Sequence, residues 1–222
     1  MKKKIIRWTV YLSGILILSF GITLNAKTTL GVAPINSMAY TCTILTGVKL
    51  AYTMFAMQCL FFAATVLVKG KTLRAMDFLQ IPASVIMSSF VGVFDEAITI
   101  VPGNLGVKAV MLVIACAASG LGVMLIATMR IAPSPPDGFI QAVSDKSGKS
   151  MGLVKNFVDC GSVLISLVIG LVFGGRIIGI GVGTLFSMIA VGRVVWLCEK
   201  LFKDRLVRAA AVPLPVAAGE NR

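Results

Sequence analysis

The sequence predicts an all-α, polytopic bundle of transmembrane helices, and three observations predict it. Apolar residues make up 57% of the chain and charged residues only 14%, against about 25% charged in soluble domains. Six apolar runs each approach the roughly 20 residues that cross a bilayer as a helix. The basic residues gather between those runs, mostly on alternate loops, which is the pattern that orients membrane helices.

The runs fall at about 8–26, 50–68, 76–94, 108–129, 153–173 and 177–197. The opening "MKKKIIRWTVYLSGILILSF" has the basic start and apolar body of a secretory signal. Its apolar run continues to Ala26 with no small-x-small cleavage site behind it, so it is expected to stay as the first span. The third run contains Pro82, expected to kink its helix while neighbours satisfy the freed carbonyl. With the N-terminus inside, only Lys27, Lys49, Lys108 and Arg176 of the 21 basic residues fall outside. Both termini are therefore expected in the cytoplasm, in a bacterial inner membrane. Residues 1–208 read as one membrane domain, and 209–222, "AAAVPLPVAAGENR", as a flexible cytoplasmic tail.

Shifting the sequence by 101 positions lays "GITLNA" (21–26) on "GVMLIA" (122–127) and pairs Pro34 with Pro135, Asn36 with Asp137, Gly47 with Gly148 and Cys59 with Cys160. The matches fall on residues that shape the backbone. Two copies, about 8–99 and 108–200, each read as span, proline-broken linker, short helix, span, span. Pro34, Pro135 and Pro136 break the chain; Asn36 and Asp137 are expected as N-caps; Gly47 and Gly148 close the short helices in the left-handed conformation. These helices, about 36–47 and 137–148, span half a bilayer. Three spans per copy make the second copy enter from the opposite side, an inverted 3 + 3 repeat of the kind transporters use. In "DGFIQAVSDKSG" the apolar start and charged end suit a re-entrant helix. The alternative is a pair of helices lying flat on the membrane surfaces.

Ionisable residues inside a membrane are costly and functional by default. The fifth run carries Lys155, Asn156, Asp159, Ser162 and Ser166, and the spacing puts Lys155, Asp159, Ser162 and Ser166 on one helix face. Gln58 stands at the position equivalent to Asp159, with Thr65 two turns on. A polar lining of Asn36, Gln58, Asp137, Lys155, Asn156 and Asp159 is the candidate solute site. Helix starts favour anionic groups and the carboxylates a cation, which together suit a zwitterionic or hydrogen-bonding solute. The competing reading is that Lys155 and Asp159 pair only to fix helix register. Asp95, Glu96 and Asp77 read as solvated span ends.

Several classes are set aside. The net charge of +12 does not indicate nucleic acid, because the basic residues separate apolar runs instead of covering one polar face. The chain has no histidine, and its five cysteines lie singly in apolar runs, so they read as small core residues. Neither a metal site nor a cofactor is expected. No phosphate-binding loop, GxSxG or HExxH is present, and the chain is not expected to be an enzyme. Gly175, Gly179 and Gly183 recur every four residues, a spacing that serves internal packing or a homodimer seam.

"LGVAPINS", "PPDGF", the Lys155-to-Asp159 step and "FGGRIIGIGVGTLFSMIAVG" resemble the YczE/YyaS/YitT group of bacterial membrane proteins over roughly residues 10–198. Members place tryptophan and aspartate where Ile35 and Asn36 stand. The resemblance implies a multi-pass inner-membrane protein of transporter type and no particular substrate. The expectation is a secondary transporter or facilitator of a small polar organic solute. A non-transporting scaffold for a partner complex and a simple channel are the alternatives.

Overall fold

In the computed structural model, which describes residues 2–100 and 102–212, eight α-helices follow one another through short loops. They are α1 (Lys2–Lys27), α2 (Pro34–Thr46), α3 (Leu50–Lys69), α4 (Gln80–Ala97), α5 (Leu105–Met129), α6 (Pro135–Ser147), α7 (Met151–Gly174) and α8 (Val182–Ala210), with 3₁₀ turns at Gly70–Thr72 and Ala75–Leu79 before α4. Six of them are long and apolar enough to cross a membrane, and their outward faces carry large apolar side chains such as Leu67, Phe173 and Val182. The short helices α2 and α6 begin at Pro34 and Pro135 and end before Gly47 and Gly148, both left-handed at φ 71° and 68°.

The antiparallel pair α1 and α5 forms the centre, because glycines let the two backbones approach. A Cβ on Gly122 would meet the Leu18 backbone nitrogen at 2.6 Å, and one on Gly21 the Ser119 backbone nitrogen at 2.6 Å. Positions 21 and 122 are 101 apart, as are 18 and 119. Around this pair, α4 packs on α1 and α8 on α5, while α2 packs on α7 and α6 on α3. The buried core joins Tyr11, Ile15 and Leu18 of α1 to Ile126 and Met129 of α5 and to Met87 and Val91 of α4.

The helix ends gather in two groups. Lys27 pairs with Asp95 at 2.8 Å and Lys49 with Glu96 at 2.7 Å; hydrogen bonding to Glu96 holds the Lys49 ammonium above its ordinary range. Lys108 donates to Thr29 Oγ1 in the same group. At the other ends Lys69 pairs with Asp77 at 2.7 Å, and Arg7 donates from Nε to the Met129 carbonyl and from Nη2 to the Arg130 carbonyl, 2.7 Å each. Thr29 and Arg130, at φ 57° and 48°, are themselves 101 apart, and so are Lys108 and Arg7 that reach them.

Several expectations are refined or corrected. Pro82 lies in the first turn of α4, where the N–H it lacks has no helical partner to lose, so it starts a helix instead of kinking one. The sixth span begins at Val182, not 177, because 175–181 is a loop with Gly175 and Gly179 at positive φ. The three glycines do not share one helix face, since Gly175 closes α7; Gly179 and Gly183 serve internal packing, where a Cβ would strike Tyr40 or the carbonyls of Leu30 and Gly31. Only Cys116 of the five cysteines is buried; Cys59 and Cys160 face outward. The expected tail is ordered at its start, since α8 runs to Ala210 and Val212 is buried. Residues 213–222 lie outside the described residues.

Candidate functional site

Each short helix lies along half of a long one. Ser37, in the first turn of α2, donates to the Ser162 carbonyl at the middle of α7 (3.3 Å). One turn on, Thr41 meets Ser166 Oγ at 2.7 Å, and Leu45 sits against Gly174, where α7 ends. So α2 runs parallel to the second half of α7. About 17 Å of α7 continues past the start of α2. In the other half Phe139 packs on Phe61, ring centroids 5.8 Å apart, and Lys146 reaches the Val68 carbonyl. Thus α6 runs parallel to the second half of α3.

The caps differ from expectation. The N-cap of α2 is Ala33, which makes no side-chain cap, and the N-cap of α6 is Ser134. Asn36 and Asp137 are third residues of their helices. Proline at the first position demands an extended residue before it, which moves the cap to the N-terminal side of the proline. In α6 Ser134 Oγ donates to Asp137 Oδ2 at 2.6 Å and accepts from the Asp137 N–H at 3.4 Å. Ser134 thus caps the helix through its side chain while its hydroxyl also holds the Asp137 carboxylate. The expected anion-binding amides are also missing at α6: Pro135 and Pro136 have none, and the Gly138 N–H is taken by the Ser134 carbonyl.

On α7 the buried face is Val154, Asp159, Ser162, Ser166 and Gly170, one ridge of an apolar helix. Asp159 is 4% exposed. Its ion pair with Lys155 is loose, 3.5 Å, and the Lys155 side chain is 48% exposed. The start of α2 thus stands at Ser162, one turn beyond Asp159. Asn156 turns outward and leaves the site. Gln58 is buried but donates to Ser88 Oγ at 3.1 Å, on α4, so it serves the α3–α4 contact. Asn36 lines a cavity of ≈ 10 Å³ with Asn25, Tyr40 and Met54, room for about one water.

Two residues of this region were not read from the sequence. Asn25, near the end of α1, donates to Ser187 Oγ at 3.0 Å while its Oδ1 has no partner. Gln80 is completely buried with neither Oε1 nor Nε2 paired. An unmet buried polar group costs about 1–3 kcal/mol. Gln80 sat at the edge of an apolar run beside a basic loop, where a glutamine attracts no notice. Beside α6 and α7 an open cleft of ≈ 290 Å³ is walled by Phe139, Val143, Leu153 and Phe157 and runs past Val158 next to Asp159.

Residues 5–200 match the family of unknown function DUF6198. The chain belongs to that family. No curated protein and no solved structure matches it. The chain is thus a helical protein of membrane type, from a family whose description assigns no activity. Among the described residues no cluster of three or more His, Cys, Asp or Glu side chains is placed to hold a metal.

Proposed function

We propose that this member of DUF6198 is a secondary transporter or facilitator that moves a small polar organic solute across the bacterial cytoplasmic membrane. The observation that carries the reading is Asp159: a carboxylate buried in a spanning helix and loosely paired, one turn from the place where α2 begins against Ser162. A carboxylate in such a place is costly, and a register-fixing pair would be better served by a close partner. The reading takes the two halves as an inverted repeat, with α2 and α6 entering the membrane from opposite faces. Support comes from the matched contacts at 101 positions' separation and from the parallel pairing of each short helix with half of a span. The likeness to the YczE/YyaS/YitT group points the same way. The centre is closely packed, so the state described is a closed one, and solute access requires α6 or α2 to move.

The scaffold reading draws on that same close packing. A thermal-shift screen of the purified protein against a metabolite library, followed by uptake of the strongest hit into vesicles, separates the two. Transport predicts saturable uptake that Asp159→Asn abolishes without loss of folded protein. Under the scaffold reading no solute is taken up and Asp159→Asn is silent.

A further inference from the structure

Gln80 is the first residue of α4, and its carboxamide is aimed into the first turn of α6. A Cβ added to Gly138 would stand 2.7 Å from Gln80 Oε1 and 3.0 Å from Nε2, and neither atom has a hydrogen-bond partner. For packing alone, leucine would fill the same space without burying two unmet polar atoms. The repeat does not ask for an amide either: the position 101 residues on is Gly181, where the neighbouring backbone bonds straight to the α2 linker.

The chemistry of that turn selects the ligand. Its amides are absent or used, as described above, so it offers an anion nothing beyond the helix dipole. What it presents is the Asp137 carboxylate, hydrogen-bonded by Ser134. A carboxylate favours a positively charged guest. Gln80 adds an acceptor and a donor on one rigid plane.

We infer that Gln80 and Asp137 form the recognition site for a small organic cation bearing a primary ammonium next to a carbonyl or amide group. The inference rests on the transport reading and narrows its solute class. The carboxylate balances the ammonium, Gln80 Oε1 accepts one of its N–H groups, and Gln80 Nε2 donates to the solute carbonyl.

The test is thermal unfolding of the full chain in detergent with glycinamide hydrochloride, against acetamide, sodium acetate and sodium chloride at matched ionic strength. Glycinamide should raise the midpoint in a saturable way while the other three do not. Gln80→Leu should lose that rise while unfolding, without probe, at or above the wild-type temperature. Gly138→Ala, which pushes the carboxamide aside without removing it, should weaken the rise. The inference fails if glycinamide acts no differently from sodium chloride, if acetate is the stabilising probe, or if Gln80→Leu keeps the rise. It also fails if Gln80→Leu lowers the midpoint without probe, for then the amide is a structural bond. A rise lost in Asp159→Asn but kept in Gln80→Leu overturns the Gln80 assignment and leaves transport standing.

Discussion

The two short helices occupy matching places and carry opposite kinds of chemistry. The linker before α2 is pinned by main-chain bonds, Val32 N–H to the Gly179 carbonyl and Gly183 N–H to the Leu30 carbonyl, 2.9 Å each. Uncharged hydroxyls at Ser37 and Thr41 then hold α2 to α7. The linker before α6 is pinned by side chains from α1, Arg7 and Tyr11, the latter donating to the Ala132 carbonyl at 3.1 Å. Its helix start carries Asp137 and faces the unpaired Gln80. One unit is a neutral joint sealed by main-chain bonds; the other carries charge at its helix start. On the proposed reading of the two halves as a repeat, the scaffold is kept in both and the ionisable groups are placed in one.

The sharpest way to break this comparison is to exchange the polar residues of the equivalent positions 58 and 159. Gln58→Asp puts a carboxylate where the hydrogen-bond partner is a serine hydroxyl, and it should cost about 3–5 kcal/mol, the scale of an uncompensated buried charge. Asp159→Gln should leave the unfolding midpoint nearly unchanged, since Lys155 is half exposed and can be hydrated. Equal losses in chemical or thermal unfolding would show that the halves tolerate charge alike.

Next in size are the glycines. Gly21→Ala and Gly122→Ala should each lose about 1–3 kcal/mol by overpacking the α1–α5 seam, and by similar amounts, because the contacts repeat. Gly181→Ala should lose a similar amount through its clash with the Leu30 carbonyl, whereas Gln80→Ala at the matching position should lose less. Thr41→Val removes the bonds to Ser166 and Ile178 and should cost about 1–2 kcal/mol. The smallest effect is at Lys49–Glu96, where both side chains are about two-thirds exposed: Lys49→Ala should leave unfolding unchanged within error.

How far the sequence could be read follows from what each residue answers to. Span number and the short helices were legible because length, prolines and the left-handed glycines at 47 and 148 act locally. The buried face of α7 was legible because its polar residues keep helical spacing. Cap positions were misplaced by three residues, since a proline at the first helical position moves the cap behind it. The loop at 175–181 was hidden by its apolar content, although Gly175 and Gly179 turn the backbone there and the α2 linker bonds to it. Gln58 and Gln80 look alike in sequence. Gln58 finds a partner for its Nε2 alone and Gln80 for neither atom, which depends on Ser88 and Gly138, residues brought up by other helices.

The central claim is that α2 and α6 open onto opposite faces of the membrane from starts within it. It is tested by single cysteines at positions 46 and 147, and at 36 and 137, in a background with the five native cysteines replaced. With a membrane-impermeant maleimide on intact cells, position 46 should label at once and position 147 only after the cells are opened, with 36 and 137 slow from either side. Labelling of 46 and 147 from the same face, or of 36 and 137 as fast as the helix ends, would contradict it.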